Sequence, residues 1–274
     1  MPDFASQTPL MAGKKGLIMG VANEKSIAWG IASAVAGAGA ELAFTYQNDA
    51  IKRRVEPLAA AVGSDLVWEC DVSDEASLDN VAQNVRDAWG EIDFAVHAVA
   101  FSDKAELKGR YADTSRANFL RTVDISCYSF TALCQRLAPM MRPGGSFITL
   151  TYLGAERTTP NYNVMGVAKA ALEASVRYLA ADLGPDGVRV NAISAGPMRT
   201  LAGSAIADAR YTFRYSEAAS PMKRNVALDE VGKTGLYLLS NLSSGVTGEI
   251  MHVDAGFHVV GIPRPQQQPP RPDE

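Results

Sequence analysis

Seven short apolar runs, separated by longer segments with helical spacing, repeat from Gly16 to about Asp254 and constrain this chain more than any other feature. The runs fall at residues 16–21, 41–46, 66–70, 92–98, 146–151, 188–194 and 249–253. Alternation of this kind is the pattern of βα units winding a parallel sheet. A chain of 274 residues can bury roughly three quarters of its unfolded surface, in one large domain or two small ones. Residues 199–225 break the rhythm; they carry no strand pattern and are long for a connection, which predicts a lid or binding loop. Residues 261–274 are rich in proline and polar groups and read as a flexible tail, and residues 1–13 as a flexible arm, leaving 14–260 as the folded part.

A formal net charge of −4 leaves no electrostatic footprint for nucleic acid. The N-terminal stretch lacks a basic start followed by an apolar run, and the Ala/Gly-rich segment around 28–40 is too short to cross a bilayer, so no membrane role is expected. Cys70, Cys127 and Cys134 are odd in number and unpaired in spacing, which fits small core residues in a reduced, cytoplasmic setting. His97, His252 and His258 show no ligand spacing, so no metal is expected. No G-x-S-x-G elbow supports a serine hydrolase.

Chemistry concentrates in Tyr152-x9-Tyr162-x6-Lys169. From Tyr162, positions 165, 169, 172, 176, 179 and 183 share a helix face and read Met, Lys, Leu, Val, Leu, Leu, so Lys169 is the one charge in an apolar stripe. Seven residues span two turns, roughly 10 Å; a lysine there cannot bond the tyrosine directly, and a third body such as a cofactor ribose would fill the gap. The plainer reading is a lysine snorkelling from the edge of a buried face.

Cofactors in such sheets lie outside the carboxyl ends of the strands. After the first strand, Gly20-Val21-Ala-Asn-Glu-Lys-Ser26-Ile27-Ala28-Trp-Gly30 supplies a glycine turn, an N-cap candidate at Ser26 and an Ala-rich helix whose N-terminus would attract phosphate. It departs from G-x-G-x-x-G, and an ordinary strand-turn-helix is as good a reading. Gln47, Asp71-Val72 and the run Ala98-Val99-Ala100 follow the next three strands. Asp71 suits either an adenine amino group or a turn. Gln47 stands where an acid would favour NAD and an arginine NADP; with no cation before Lys52, NADH is favoured over NADPH.

Taken with the ELAFTYQ strand, the CDV turn, TYLGAER, NYNVMGVAKA and GVRVNAISAGPMRT, these motifs closely resemble the bacterial enoyl-acyl-carrier-protein reductases, a divergent branch of the short-chain dehydrogenase/reductases, over residues 10–258. The resemblance implies an α/β single-domain Rossmann fold, a doubly wound seven-stranded parallel sheet with a helical substrate-binding lid at about 199–225. It implies a homotetramer and NADH-dependent reduction of trans-2-enoyl thioesters on acyl carrier protein. By the same resemblance Tyr162 is the acid at the thioester carbonyl, Lys169 the nicotinamide-ribose ligand and Tyr152 the second active-site tyrosine. Gly20, Val21, Ser26 and Ile27 resemble the pyrophosphate and ribose cradle; Gln47, Asp71 and Val72 the adenosine contacts; Ile193, Ala195, Gly196, Pro197, Met198 and Thr200 the nicotinamide floor. Ala98, Val99 and Ala100 complete the cofactor side, and Ala100, Met165, Ala202 and Ile206 join the tyrosines around the substrate. Relatives often carry glycine where this chain has Ala100, which predicts weaker binding of diphenyl ether inhibitors.

Two other functions remain open from sequence. A short-chain 3-ketoacyl reductase would need lysine four residues after the tyrosine and serine thirteen before it, where this chain has Gly166 and Thr149. A dinucleotide sensor could use the same fold for binding alone. An ammonium near Tyr162 is expected to favour its phenolate. Arg199, Arg210, Arg214, Lys223 and Arg224, around the expected lid, are candidate receivers for an acidic carrier protein.

Overall fold

A computed structural model describes residues 9–204 and 208–263. Seven strands form one sheet: β1 (Lys15–Met19), β2 (Glu41–Tyr46), β3 (Val67–Glu69), β4 (Ile92–His97), β5 (Met141–Thr151), β6 (Arg189–Ala195) and β7 (Ile250–Val253). Their order is β3-β2-β1-β4-β5-β6-β7, with every pairing parallel. All seven apolar runs are strands. β5 begins at Met141 rather than 146, because Pro143-Gly144-Gly145, which reads locally as a turn, is carried on the strand with a register shift against β4.

The helices are α1 (Ile27–Gly37), α2 (Asp49–Ala61), α3 (Glu75–Trp89), α4 (Arg116–Val123), α5 (Ser129–Leu137), α6 (Asn163–Leu183), α7 (Leu201–Ser204), α8 (Ala209–Ala219) and α9 (Leu228–Leu239), with a π-helical turn at Asp124–Tyr128 joining α4 to α5. A sheet covered on both faces needs strands that are apolar on both sides, and β4 and β6 are buried at every residue. Leu78, Val81, Phe130, Leu133, Leu172 and Val176, from α3, α5 and α6, fill the core on one face. Ile31, Val35, Val55, Val231 and Leu238, from α1, α2 and α9, fill it on the other. The helices α1 and α9 cross at Gly30 and Gly232, where a Cβ on Gly232 would come within 2.4 Å of the Gly30 carbonyl oxygen. Gly30 thus serves helix packing.

Residues 9–13, placed in the arm by sequence, turn back onto the domain: the Met11 N–H donates to the Ala38 carbonyl at 2.8 Å and its side chain is fully buried. The folded unit therefore reaches back at least to Pro9. Residues 1–8 and 264–274 lie outside the described residues. The 199–225 excursion carries the two short helices α7 and α8 and no strand among its described residues.

Candidate active site

The chain reverses direction across the sheet between β1 and β4, whose successors run to opposite sides, and such a switch point opens a crevice at the strands' carboxyl ends. Gly20 leaves β1 with φ +95°, and a Cβ there would lie 2.1 Å from the Ala98 carbonyl oxygen. Only glycine lets the two strand ends approach this closely. Ser26 precedes α1 as expected of an N-cap, but its hydroxyl does not cap the helix. It accepts hydrogen bonds from the N–H groups of Ala22 and Asn23, at 3.0 and 3.1 Å, and so closes the turn. The first N–H groups of α1 are left without a side-chain partner, which is the arrangement that receives an anion.

Val21 is buried in the core, so the side chain faces away from the crevice and only its backbone can contribute there. Ile193 is likewise fully buried, on the same face of β6 as Ala195 two residues on, so it too can offer only backbone to the crevice. Ala195 ends β6 and Gly196 follows, its N–H donating to Val253 at 2.8 Å; a Cβ at Gly196 would sit 3.0 Å from the Asp254 Cα. Pro197 is half-buried, and the Thr200 hydroxyl accepts from the Gly203 N–H at 2.9 Å, capping the turn into α7. Gln47 and Asp71 meet across the ends of β2 and β3 at 3.4 Å. Hydrogen bonds from the Ser73 hydroxyl and N–H hold the Asp71 carboxyl below its ordinary range. The turn reading of Asp71 is seen directly, its Oδ1 accepting from the Ser73 N–H and hydroxyl. Val72, Ala98 and Val99 are half-buried, while Ala100 is exposed.

The two tyrosines come together. The rings of Tyr152, just after β5, and Tyr162, at the head of α6, pack edge to face with centroids 5.1 Å apart. Tyr162, Leu107, Val164 and Met165 form a small buried cluster, with Phe119 and Tyr152 against it. Two glycines shape the place for Tyr162: a Cβ on Gly154 would meet its ring at 2.3 Å, and a Cβ on Gly166 would meet the Gly154 carbonyl oxygen at 2.6 Å. A lysine at 166 therefore has no room. Thr149, at the other ketoreductase position, is fully buried and donates to the His97 carbonyl at 3.0 Å. The ketoreductase arrangement is thus closed at both positions.

Lys169 is buried as the apolar stripe predicts, and its ammonium donates to the Leu150 carbonyl at 2.7 Å. Burial lowers its pKa to about 8, against the opposing pull of Cys127 and Glu173. Burial also lowers His97 to about 3, helped by Lys169. Glu173, one turn beyond Lys169, is raised by burial, although it accepts a 2.6 Å bond from the Thr151 hydroxyl. The expected phenolate-favouring effect on Tyr162 does not hold. Burial, then Tyr152 and Glu173, push its pKa up, because the lysine lies two turns away while apolar groups enclose the ring. The Tyr162 hydroxyl therefore keeps its proton at neutral pH.

Sequence reasoning missed the π-helical turn. It brings the buried Ser126 hydroxyl to the N–H and carbonyl of Phe101, at 3.0 and 3.1 Å, anchoring the segment that follows β4 beside the site. Turns of this type recur at functional sites, but the local sequence carries no mark of one. Ala202 lies on the short helix α7, and Ile206 lies outside the described residues.

A doubly wound sheet with a close-approach turn at the switch point, an uncapped helix N-terminus and a tyrosine-lysine pair behind it defines a dinucleotide-dependent reductase. The sequence profile described as enoyl-(acyl carrier protein) reductase matches residues 20–258. A Rhizobium meliloti protein named enoyl-[acyl-carrier-protein] reductase [NADH] 1 is 62% identical, covering 94% of this chain and 95% of its own, and the Escherichia coli enoyl-[acyl-carrier-protein] reductase [NADH] FabI is 49% identical over 92% and 97%. The crystal structure of the Anaplasma phagocytophilum reductase in complex with NAD superposes with a TM-score of 0.90 at 59% identity, covering 93% of this chain and 97% of that one. The chain belongs to the enoyl-acyl-carrier-protein reductase family.

Proposed function

We propose that the protein reduces trans-2-enoyl thioesters carried on acyl carrier protein with NADH, and that Tyr162 is the residue that touches the reacting thioester. The observation that carries this reading is the Tyr152–Tyr162 corner, with Tyr162 buried and Tyr152 half-buried against it, and a buried Lys169 two turns along the same helix. The crevice fits a dinucleotide, since Gly20 and Gly196 let the segments after the strands pack closely with no side chain of their own, and the first N–H groups of α1 have no side-chain cap. The N-terminus of α1 with Gly20, Val21, Ser26 and Ile27 would hold the pyrophosphate, Gln47 with Asp71 and Val72 the adenosine, and Lys169 the nicotinamide ribose. The Leu150 carbonyl takes one of the three donors of the Lys169 ammonium. When bound, the reduced nicotinamide supplies the hydride.

Charge then collects on the thioester oxygen, and the neutral Tyr162 hydroxyl donates a hydrogen bond to it. Losing such a donor costs roughly 3 to 4 kcal/mol of barrier. Tyr162→Phe should lower kcat by about 10²- to 10³-fold with crotonyl thioester while leaving the NADH Kd near its wild-type value. An unchanged kcat would remove Tyr162 from the chemistry. NADH bound tightly with no turnover of any enoyl thioester by the unaltered protein would instead favour the sensor reading.

Residues 199–225 are proposed to cover the substrate, with Ala202 and Ile206 on its path. Among the lid cations, Arg224 is held by both carboxylate oxygens of Glu230 at 2.7 Å, Lys223 donates to the Ala218 carbonyl, and Arg199 stacks on Phe213. That leaves Arg210 and Arg214, one turn apart on α8, as the better carrier-protein contacts; reversing both charges should raise KM for the carrier-bound substrate and not for a coenzyme A thioester. Equal change in the two would remove the docking role. A homotetramer is supported by exposed Leu120, Tyr128, Val167 and Tyr178 on the α4-to-α6 side of the domain. No helix among the described residues is long and apolar enough to cross a membrane, and a cytoplasmic location is consistent with three free cysteines.

A further inference from the structure

We infer that Asn163 is a positioning residue that couples the loop between β4 and α4 to the hydroxyl of Tyr162. Tyr162 is flanked by two asparagines in the left-handed region, Asn161 at φ +58° and Asn163 at φ +37°. Non-glycine residues in that region are uncommon, and asparagine is among the few that tolerate it. Two such residues bracketing one tyrosine, at the mouth of an otherwise regular helix, are the kind of local strain that surrounding structure must hold in place.

The Asn163 side chain shows what does the holding. Its amide nitrogen donates to the carbonyls of Leu107 and Gly109, at 3.1 and 3.2 Å, so one NH₂ group bridges two points of the loop that follows β4. Leu107 is buried against Tyr162 in the small cluster beside the site. The far end of the loop is fixed in turn, since Glu106 accepts from both the N–H and the hydroxyl of Ser115 at 2.8 Å. The kink that aims Tyr162 and the loop that packs on its ring are thus tied through a single side chain. Asn161 makes a similar tie on the opposite side, donating to Asp208 ahead of α8 at 2.9 Å. A shift of the loop when substrate enters is transmitted to the phenol, and the phenol is aimed only when the loop is seated.

This inference rests on Tyr162 as the acid, and its test separates the two. Asn163→Gly keeps a residue at ease with positive φ but removes the bridge; Asn163→Asp keeps the shape but presents a carboxylate, which cannot donate to the two carbonyls. Both should lower kcat for crotonyl thioester by about ten- to a hundredfold, the scale of a displacement near 1 Å, with the NADH Kd and the melting temperature of the glycine variant close to wild type. In the Tyr162→Phe background the same substitutions should cost nothing further, because residues acting through one group are not additive. Full activity in Asn163→Gly, or losses that multiply with those of Tyr162→Phe, would overturn the inference while leaving Tyr162 in place. If Tyr162→Phe alone leaves kcat unchanged, the reading beneath it fails and the inference with it.

Discussion

Tyr162 and Lys169 lie seven residues apart on one segment, yet different physics places each of them. Lys169 sits in the regular part of α6, where helical periodicity carries it onto the buried face with Met165, Leu172 and Val176. One backbone carbonyl on β5 receives it. Tyr162 stands where the helix is not yet regular, at φ −101° between two left-handed asparagines, in a place cut by Gly154 and Gly166 and closed by a loop more than fifty positions away in sequence. A residue placed by periodicity tolerates changes in its neighbours. One placed by several distant contacts does not, and Tyr162, the proposed donor, is of the second kind.

The sharpest attempt to break this contrast is Gly154→Ala. The added methyl would need to lie 2.3 Å from the Tyr162 ring, so the ring must move, and kcat should fall by about a hundredfold with little change in NADH affinity measured by fluorescence titration. A variant with wild-type kcat would show that the tyrosine is not held as tightly as the packing implies.

The Lys169 end makes a thermodynamic prediction of the next size. Its folded pKa, about 8, lies below the ordinary lysine value of 10.5, so the buried ammonium costs folding free energy at neutral pH. Between those values the folded state releases its proton while the unfolded chain keeps one, and stability rises with pH across that window, by about 2 to 3 kcal/mol by pH 10. Denaturant titrations at pH 7 and 10 should show this gain in the wild type relative to Lys169→Met. Parallel behaviour in the two proteins would mean the lysine is better solvated than its burial indicates.

The smallest expected effect concerns Tyr152, which shares the corner but is bonded by Thr159 and pushed up by burial. Thr159→Val removes one hydrogen bond and should raise KM for the enoyl thioester by about three- to tenfold, with kcat nearly unchanged. An equal fall in kcat would move Tyr152 into the group that acts on the transition state.

Much of this was legible in the residues. All seven strands follow from apolar runs, because a sheet covered on both faces requires them, and the inward lysine follows from the 3.6-residue period. The first turn was legible only in part. Ser26 was visible as the residue before α1, but whether its hydroxyl caps the helix or closes the turn depends on where Ala22 and Asn23 lie. Val21 and Ile193 were read as crevice residues from motif position, and their burial shows what the motif does not: their side chains pack in the core, leaving only backbone to face a ligand. Phenol acidity was misjudged for a related reason: proximity in sequence suggested an ammonium effect, whereas enclosure by apolar groups, a property of packing, dominates.

By itself, then, the sequence determined the winding of the sheet, the glycine at the switch point and the face of α6 that turns inward, since each rests on local periodicity or on a residue with no side chain to clash. Only the tertiary structure decided that Tyr152 reaches Tyr162, that Gly154 and Gly166 hollow out the ring's place, and that Asn163 ties a distant loop to it. Those contacts join segments whose separation along the chain carries no periodic signal, and they exist only once the two layers of helices have closed over the sheet.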